Sequence, residues 1–290
     1  MLSYRHAFHA GNFADVLKHL ILIHVIEHLK KKDKPFCYLD THAGAGLYFL
    51  AGEYAQKNRE FDGGIAKLWQ RNDLPEGIKR YVDIVKQFNP SGELLHYPGS
   101  PMIAANLLRK QDRLFLYDLH STEYKLLNAL VEKDRRIRTL HADGLVDSLG
   151  LLPPKERRGL VLIDPSYELS ADYGLVVETL KQMHKRFATG IYALWYPVVE
   201  RQRIRRLERS LQSSGIADMV LFELGVNEDS KGRGMTGSGM IVINPPWTLA
   251  AEMRLFLPKL AALLGVEGQG RHRIVSLDQE KAARAKQEEH

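Results

Sequence analysis

Residues 159–167 read Gly-Leu-Val-Leu-Ile-Asp-Pro-Ser-Tyr, an apolar run that ends on a carboxylate, a proline and an aromatic ring. An exocyclic base amine facing a methyl donor needs acceptors that hold its hydrogens and turn the nitrogen lone pair toward the donor. Asp164 and the backbone carbonyl of Pro165 are such acceptors, and Tyr167 offers a face for stacking a base drawn out of its helix. The same residues also fit a purely conformational purpose, since Asp and Pro are common where a buried strand meets a turn.

The string resembles the Asp-Pro-Pro-Tyr signature of adenine-N6 and cytosine-N4 methyltransferases, with Ser166 in place of the second proline. Residues 239–247, Gly-Met-Ile-Val-Ile-Asn-Pro-Pro-Trp, fit the looser Asp/Asn-Pro-Pro-aromatic form through Asn244 and Trp247. Chain order separates the two. Apolar runs fall at 36–40, 113–118, 136–143, 159–164, 190–196, 218–224 and 239–244. In a methyltransferase domain the cofactor half comes first and the catalytic strand is the fourth. Asp164 closes the fourth run and Asn244 the seventh. Asn244-Pro-Pro-Trp247 is therefore read as a strand end carrying turn chemistry, the alternative being that Trp247 borders the site.

The first run enters Asp40-Thr-His-Ala-Gly-Ala-Gly46, read as a strand-to-helix turn. There Gly44 and Gly46 would let backbone amides approach a ligand at a helix N-terminus. A dinucleotide site is the rival, but its fingerprint needs a third glycine where Phe49 stands and an acid closing the next strand. Asp62 has the right spacing but lies in a polar stretch. Asp118 does close an apolar run, where an acid suits the ribose hydroxyls of S-adenosylmethionine, and Asp143-Gly144 closes the third run, where it would border the adenine. In this order the elements favour a methyl donor over a hydride carrier. The expected fold is α/β, a Rossmann-like class I S-adenosylmethionine-dependent methyltransferase with a seven-stranded, mostly parallel sheet.

Six of the twelve histidines fall within the first 42 residues: His6, His9, His19, His24, His28 and His42. His24-Val-Ile-Glu-His28 matches an inverted zinc-protease motif. Its helix, capped by Asn12 with Asp15 three residues on, leads directly through Lys30-Lys-Lys32 into the first strand, and no third ligand is evident, so no metal site is expected. Helix packing accounts for His24 and His28, whereas His19 and His42 stand where the helix and the glycine turn could meet the cofactor.

The 290 residues suit one doubly wound domain with an elaboration. Residues 53–96 are polar, with helical spacing in Ile65, Leu68 and Trp69 and in Ile78, Tyr81, Val82 and Val85, and read as an inserted helical subdomain projecting beside the cofactor turn. Residues 1–52 and 97–270 make the methyltransferase domain. Tyr97-Pro-Gly-Ser-Pro101 returns the chain and delivers Ser100 toward the cofactor, and 271–290 read as a charged tail without order. Lys and Arg number 41 against 35 Asp and Glu, which favours a polyanionic partner or merely solubility. Lys231 and Arg233, in a glycine-rich loop before the seventh run, are the expected RNA contacts, because a mobile basic loop can close over a flipped nucleotide. The arginines at 201, 203, 205, 206 and 209 read more simply as a solvated helix face. The lone Cys37, the lack of a signal-peptide pattern and the lack of a long apolar stretch predict a cytoplasmic protein with no membrane association and no obligate protein partner.

Tyr38-Leu-Asp-Thr-His-Ala-Gly-Ala-Gly46, Met1-Leu-Ser-Tyr-Arg-His, Asp15-Val-Leu-Lys-His19, Tyr97-Pro-Gly-Ser-Pro101, Ala193-Leu-Trp-Tyr-Pro197 and Ser238-Gly-Met-Ile-Val-Ile-Asn-Pro-Pro-Trp247 together resemble the RlmJ family of bacterial 23S ribosomal RNA adenine-N6 methyltransferases, over nearly the whole chain to about residue 270. The resemblance implies a monomer that acts on one adenine of protein-free or early-assembly 23S RNA. It implies methyl-donor contacts at His19, His42, Ser100, Asp118, Asp143, Gly144 and Asp164, catalysis by Asp164, and an RNA contact at Tyr4. Two positions depart from the pattern: Asp118 stands where a longer Glu is expected, and Ser166 restores a backbone amide that proline lacks. The alternatives are a DNA-binding or DNA-methylating protein linked to use of external DNA, and an inactive methyltransferase fold serving as an RNA-binding module.

Overall fold

The computed structural model describes residues 5–229 and 234–278. The chain opens with helix α1 (Phe13–Lys30), started by Asn12, whose side-chain oxygen accepts from the amides of Ala14 and Asp15, each at 3.0 Å. This helix is buried on nearly every side, with Leu17, Ile21, Val25 and Ile26 fully enclosed. It has no polar stripe because α3, α4, α9 and the sheet surround it. Strand β1 (Cys37–Asp40) follows, then β2 (Leu47–Phe49), α2 (Glu53–Asn58), α3 (Glu76–Gln87), β3 (His96–Pro98) and α4 (Ser100–Leu107). After these the chain alternates as β4 (Arg113–Tyr117), α5 (Ser121–Val131), β5 (Ile137–Leu140), α6 (Gly144–Asp147), β6 (Gly159–Ile163), α7 (Asp172–Arg186), β7 (Ile191–Val198) and α8 (Arg201–Gln212). It closes with β8 (Met219–Gly225), β9 (Gly237–Ile243), α9 (Leu249–Leu264) and β10 (Arg271–Ser276). Among the described residues no helix is long and apolar enough to cross a membrane.

The main sheet has eight strands in the order β10-β8-β9-β7-β6-β1-β4-β5. All seven apolar runs are strands of it, and the order reverses at β1, between β4 and β6. Neighbours from β5 to β7 are parallel, whereas β9 runs antiparallel to both β7 and β8. The eighth strand corrects the expectation of a tail from residue 271: β10 pairs antiparallel with β8 from Arg271 opposite Gly225 to Ser276 opposite Val220. An edge strand needs only backbone pairing and one covered face, so Arg-His-Arg can occupy it while Arg273 reaches Glu208 at 2.9 Å.

The turn after β1 also differs from its expected form. Gly44 and Gly46 take positive φ, 63° and 82°, and no helix follows. The chain instead forms β2, which pairs with β3 in a two-stranded ribbon, and the Gly99 amide donates to the Gly46 carbonyl at 2.8 Å. The helix that the turn would have opened begins only at Ser100. Residues 53–96 fill the gap, and they lie on α1 rather than projecting from it. Ile65, Leu68, Ile78, Tyr81 and Val85 are fully buried, and the Tyr81 hydroxyl meets that of Tyr97 at 2.9 Å.

Strand direction settles the two Pro-aromatic strings. Asp164 follows β6 at the C-terminal edge of the parallel strands. Ile243, at the end of β9, lies opposite Tyr192 at the start of β7, so Asn244 and Trp247 leave the sheet at the other edge. Trp247 is 84% exposed there. Asn244 holds φ 52° and donates to the carbonyls of Ala188 and Gly190 at 2.8 and 2.7 Å. Asn244→Ala should therefore lower unfolding free energy by about 1–3 kcal/mol in urea titration, from the lost bonds and the left-handed backbone, while leaving ligand binding at the opposite edge unchanged.

Candidate active site

A cleft of about 260 Å³ opens at the C-terminal edge, where β1, β4, β5 and β6 end. His19, His42, Gly44, Ser100, Asp118, Asp143, Gly144, Asp164 and Pro165 all line it. The local reasons are separate for each. Asp143 caps α6 by accepting from the Leu145 amide at 2.9 Å. Gly144 passes so close to the first turn that a Cβ would lie 2.1 Å from the Thr41 carbonyl oxygen. Asp118 accepts from the Gly44 amide at 2.8 Å and from the His120 amide at 2.7 Å, joining two loops across the cleft. The Ser100 hydroxyl donates to Asp40 at 2.7 Å, as does that of Tyr38. Burial nevertheless pushes the Asp40 carboxyl up to about 6.

Gly46 is not on the cleft wall: it lies behind it, where a Cβ would come 2.8 Å from Leu127. Tyr167 corrects a second expectation. With φ 52° its ring turns inward, 9% exposed, against Tyr173 at 4.5 Å between centroids, and its hydroxyl donates to the Trp195 carbonyl at 2.7 Å. It offers no open face to a base and instead props the Asp-Pro turn from below. Ser166 stands on the cleft wall beside Pro165. Tyr4, Lys231 and Arg233 lie outside the described residues. Of the arginines on α8, Arg201 pairs with Glu223 and Asp229, each at 2.8 Å, and Arg203 pairs with Glu200 at 2.9 Å.

The strongest electrostatic feature was not singled out from the sequence. Lys18, on α1, places its ammonium 2.6 Å from Asp164 Oδ2 and 2.8 Å from Asp15 Oδ1. Asp15 in turn accepts from the Gly11 amide at 2.8 Å and lies 2.9 Å from His6 Nε2. Asp15 is held well below the usual carboxylate range: burial opposes ionisation, but His6 and Lys18 outweigh it. Lys18 is pushed above its ordinary value despite burial because both carboxylates flank it. Asp164 is pushed up by burial, with Lys18 and His6 opposing. The available signal was an Asp-x-x-Lys pair inside an otherwise apolar helix, where a charge needs a partner. On the same helix His24 uses both ring nitrogens on α9, with Glu252 at 2.9 Å and Thr248 at 3.0 Å.

The cleft fits a nucleoside-bearing methyl donor. His19 Nδ1 meets the Tyr97 hydroxyl at 2.7 Å, while its buried Nε2 has no hydrogen-bond partner among the described residues. Burial holds the ring neutral, its value lowered to about 3. An unsatisfied polar atom in the wall of a cleft is stabilised by a ligand that supplies its partner. The strand order, the reversed strand β9 between β7 and β8, and a cleft at the switch point define a class I S-adenosylmethionine-dependent methyltransferase.

Comparison with known proteins narrows the class to one family. The family model described as ribosomal RNA large subunit methyltransferase D, RlmJ, matches residues 33–277, and the chain belongs to that family. It is 55% identical over 95% of its length to ribosomal RNA large subunit methyltransferase J of Escherichia coli, covering 98% of that protein. Its identity to the protein of the same name from Haemophilus influenzae is 52%, over 93% of this chain and 96% of the other. A crystal structure of a Legionella pneumophila protein, 39% identical, superposes with a TM-score of 0.86 over 92% of this chain and 98% of that one.

The cleft carries a pH signature. Burial lowers the His42 imidazole from 6.5 to about 4. The stability it carries is complete above the unfolded value and is lost as pH falls from about 6.5 through about 4. Relative to a His42→Gln variant, the unliganded parent should lose on the order of 2–3 kcal/mol across that window. Paired denaturation curves at pH 7.5 and pH 4 (~3.5 pH units apart) measure it; parallel loss in both proteins would place the proton elsewhere.

Proposed function

We propose that the protein methylates N6 of one adenine in 23S ribosomal RNA, taken as protein-free RNA or an early assembly intermediate, with S-adenosylmethionine as donor. The observation that carries this reading is Asp164 at the end of the fourth parallel strand, in the cofactor cleft, with one oxygen held by Lys18 at 2.6 Å. Support for the substrate comes from the name shared by the relatives at 55% and 52% identity. When bound, the cofactor supplies an electrophilic methyl group on sulfur. His19, His42, Gly44, Ser100, Asp118, Asp143 and Gly144 are the residues that would hold it.

The adenine amine is nearly non-basic because its lone pair is conjugated with the ring. The Asp164 oxygen not held by Lys18 and the Pro165 carbonyl accept its hydrogens and favour a pyramidal nitrogen. Lys18 opposes the burial that pushes the Asp164 carboxyl up and fixes its direction, and Tyr167 and Trp195 hold the turn beneath it. After transfer the amine is cationic, and Asp164 takes the proton. The base reaches this cleft by leaving its stack, and the loop containing Lys231 and Arg233 and the segment containing Tyr4 are the proposed RNA contacts.

Asp164→Ala should reduce methyl transfer by roughly a hundredfold or more, with binding of S-adenosylhomocysteine retained in calorimetry. Loss of binding in step with activity would reduce Asp164 to a structural part. Activity should appear on protein-free large-subunit RNA, fall as salt rises through counterion release, and be weak on duplex DNA. Equal methylation of DNA would favour the DNA reading, and RNA binding without any methylation would favour the binding-module reading.

A further inference from the structure

Glu123 is the third residue of α5 and is 7% exposed, with Oε2 fully buried. Neither carboxylate oxygen has a hydrogen-bond or ion-pair partner among the described residues. A glutamate at that helix position ordinarily reaches back to the amide of the capping residue. Here the capping residue is His120, and its amide is taken by Asp118 at 2.7 Å. Glu123 is thereby left in the cleft wall together with Asp118, Leu119 and His120.

A buried carboxylate without donors costs the fold free energy unless a ligand satisfies it. Each Asp118 oxygen already receives one backbone amide, from Gly44 and from His120, so half of its acceptor sites are taken before a vicinal diol arrives. A diol beside this pair has one acceptor that is partly engaged and one that is wholly open. Both acids line the same stretch of cleft wall, and burial together with the charge of Asp118 pushes the Glu123 carboxyl up.

We propose that Glu123 accepts a hydrogen bond from one of the ribose hydroxyls of S-adenosylmethionine, sharing the diol with Asp118. This assignment rests on the cofactor placement given above. Glu123 is a binding residue in it and takes no part in the proton transfers at Asp164.

Calorimetry with S-adenosylhomocysteine and its 2′-deoxy and 3′-deoxy ribose analogues tests it on the parent, Glu123→Gln and Glu123→Ala. Glu123→Ala should weaken S-adenosylhomocysteine by about ten- to a hundredfold, as for a hydrogen bond to a charged group. One deoxy analogue should bind parent and Glu123→Ala equally, because the hydroxyl that Glu123 serves is missing from it. Glu123→Gln, which keeps the shape and a weaker acceptor, should fall between. The unliganded variants should melt no lower than the parent, since each removes an unpaired buried charge. Equal weakening of all three ligands, or no weakening, overturns the assignment. A parent that binds none of the ligands overturns the cofactor placement itself.

Discussion

The ammonium of Lys18 between Asp15 and Asp164 is the interaction on which the rest of the site depends. It joins the N-terminal helix to the end of the fourth parallel strand through a group that is 5% exposed. Taking these charges out of water costs several kcal/mol per ion, recovered only with good geometry and further hydrogen bonds. The Gly11 amide and His6 supply those bonds on the Asp15 side. On the Asp164 side the second oxygen is left for a ligand. The same charge balance that allows α1 to be buried thus fixes the direction of a carboxylate in the cleft wall.

Much of the architecture was legible because it is carried by local patterns. Seven apolar runs became seven strands of the main sheet, and counting them separated Asp164, which closes the fourth, from Asn244, which closes the seventh; the direction of β9 then put the two at opposite edges. Asp118 and Asp143 stood out because each closes such a run, and both line the cleft. What escaped notice depends on pairing distant in sequence. Strand β10 has few apolar residues and is defined by its partner β8. The ribbon of β2 and β3 joins residues on either side of the insertion, so the glycine turn looked as though it should open a helix.

Within the site, side-chain direction was the hidden variable. Tyr167 was expected to face a base, but its backbone conformation turns it into the core. Lys18 and Glu123 sit on helices and reach the cleft only because those helices are packed against it. Helical periodicity could not flag Lys18, since α1 is covered all round and every face of it reads as core. Glu123 carries no sequence signal at all beyond its place in the first turn of α5; its interest lies in what it fails to contact.

The clamp between Gly46 and Gly99 has a consequence for how this chain can vary. Once β2 and β3 pair, the two ends of residues 53–96 are fixed side by side whatever lies between them. Closing such a loop grows costlier only logarithmically, by about 0.6 kcal/mol for each doubling of its length. The cofactor turn and its displaced helix are therefore mechanically insulated from the size of the inserted segment. What ties that segment down is its buried face of Ile65, Leu68, Ile78 and Val85, together with the chain of hydroxyl and imidazole contacts from Tyr81 through Tyr97 to His19. Length there is nearly free, whereas the residues that meet this chain are not.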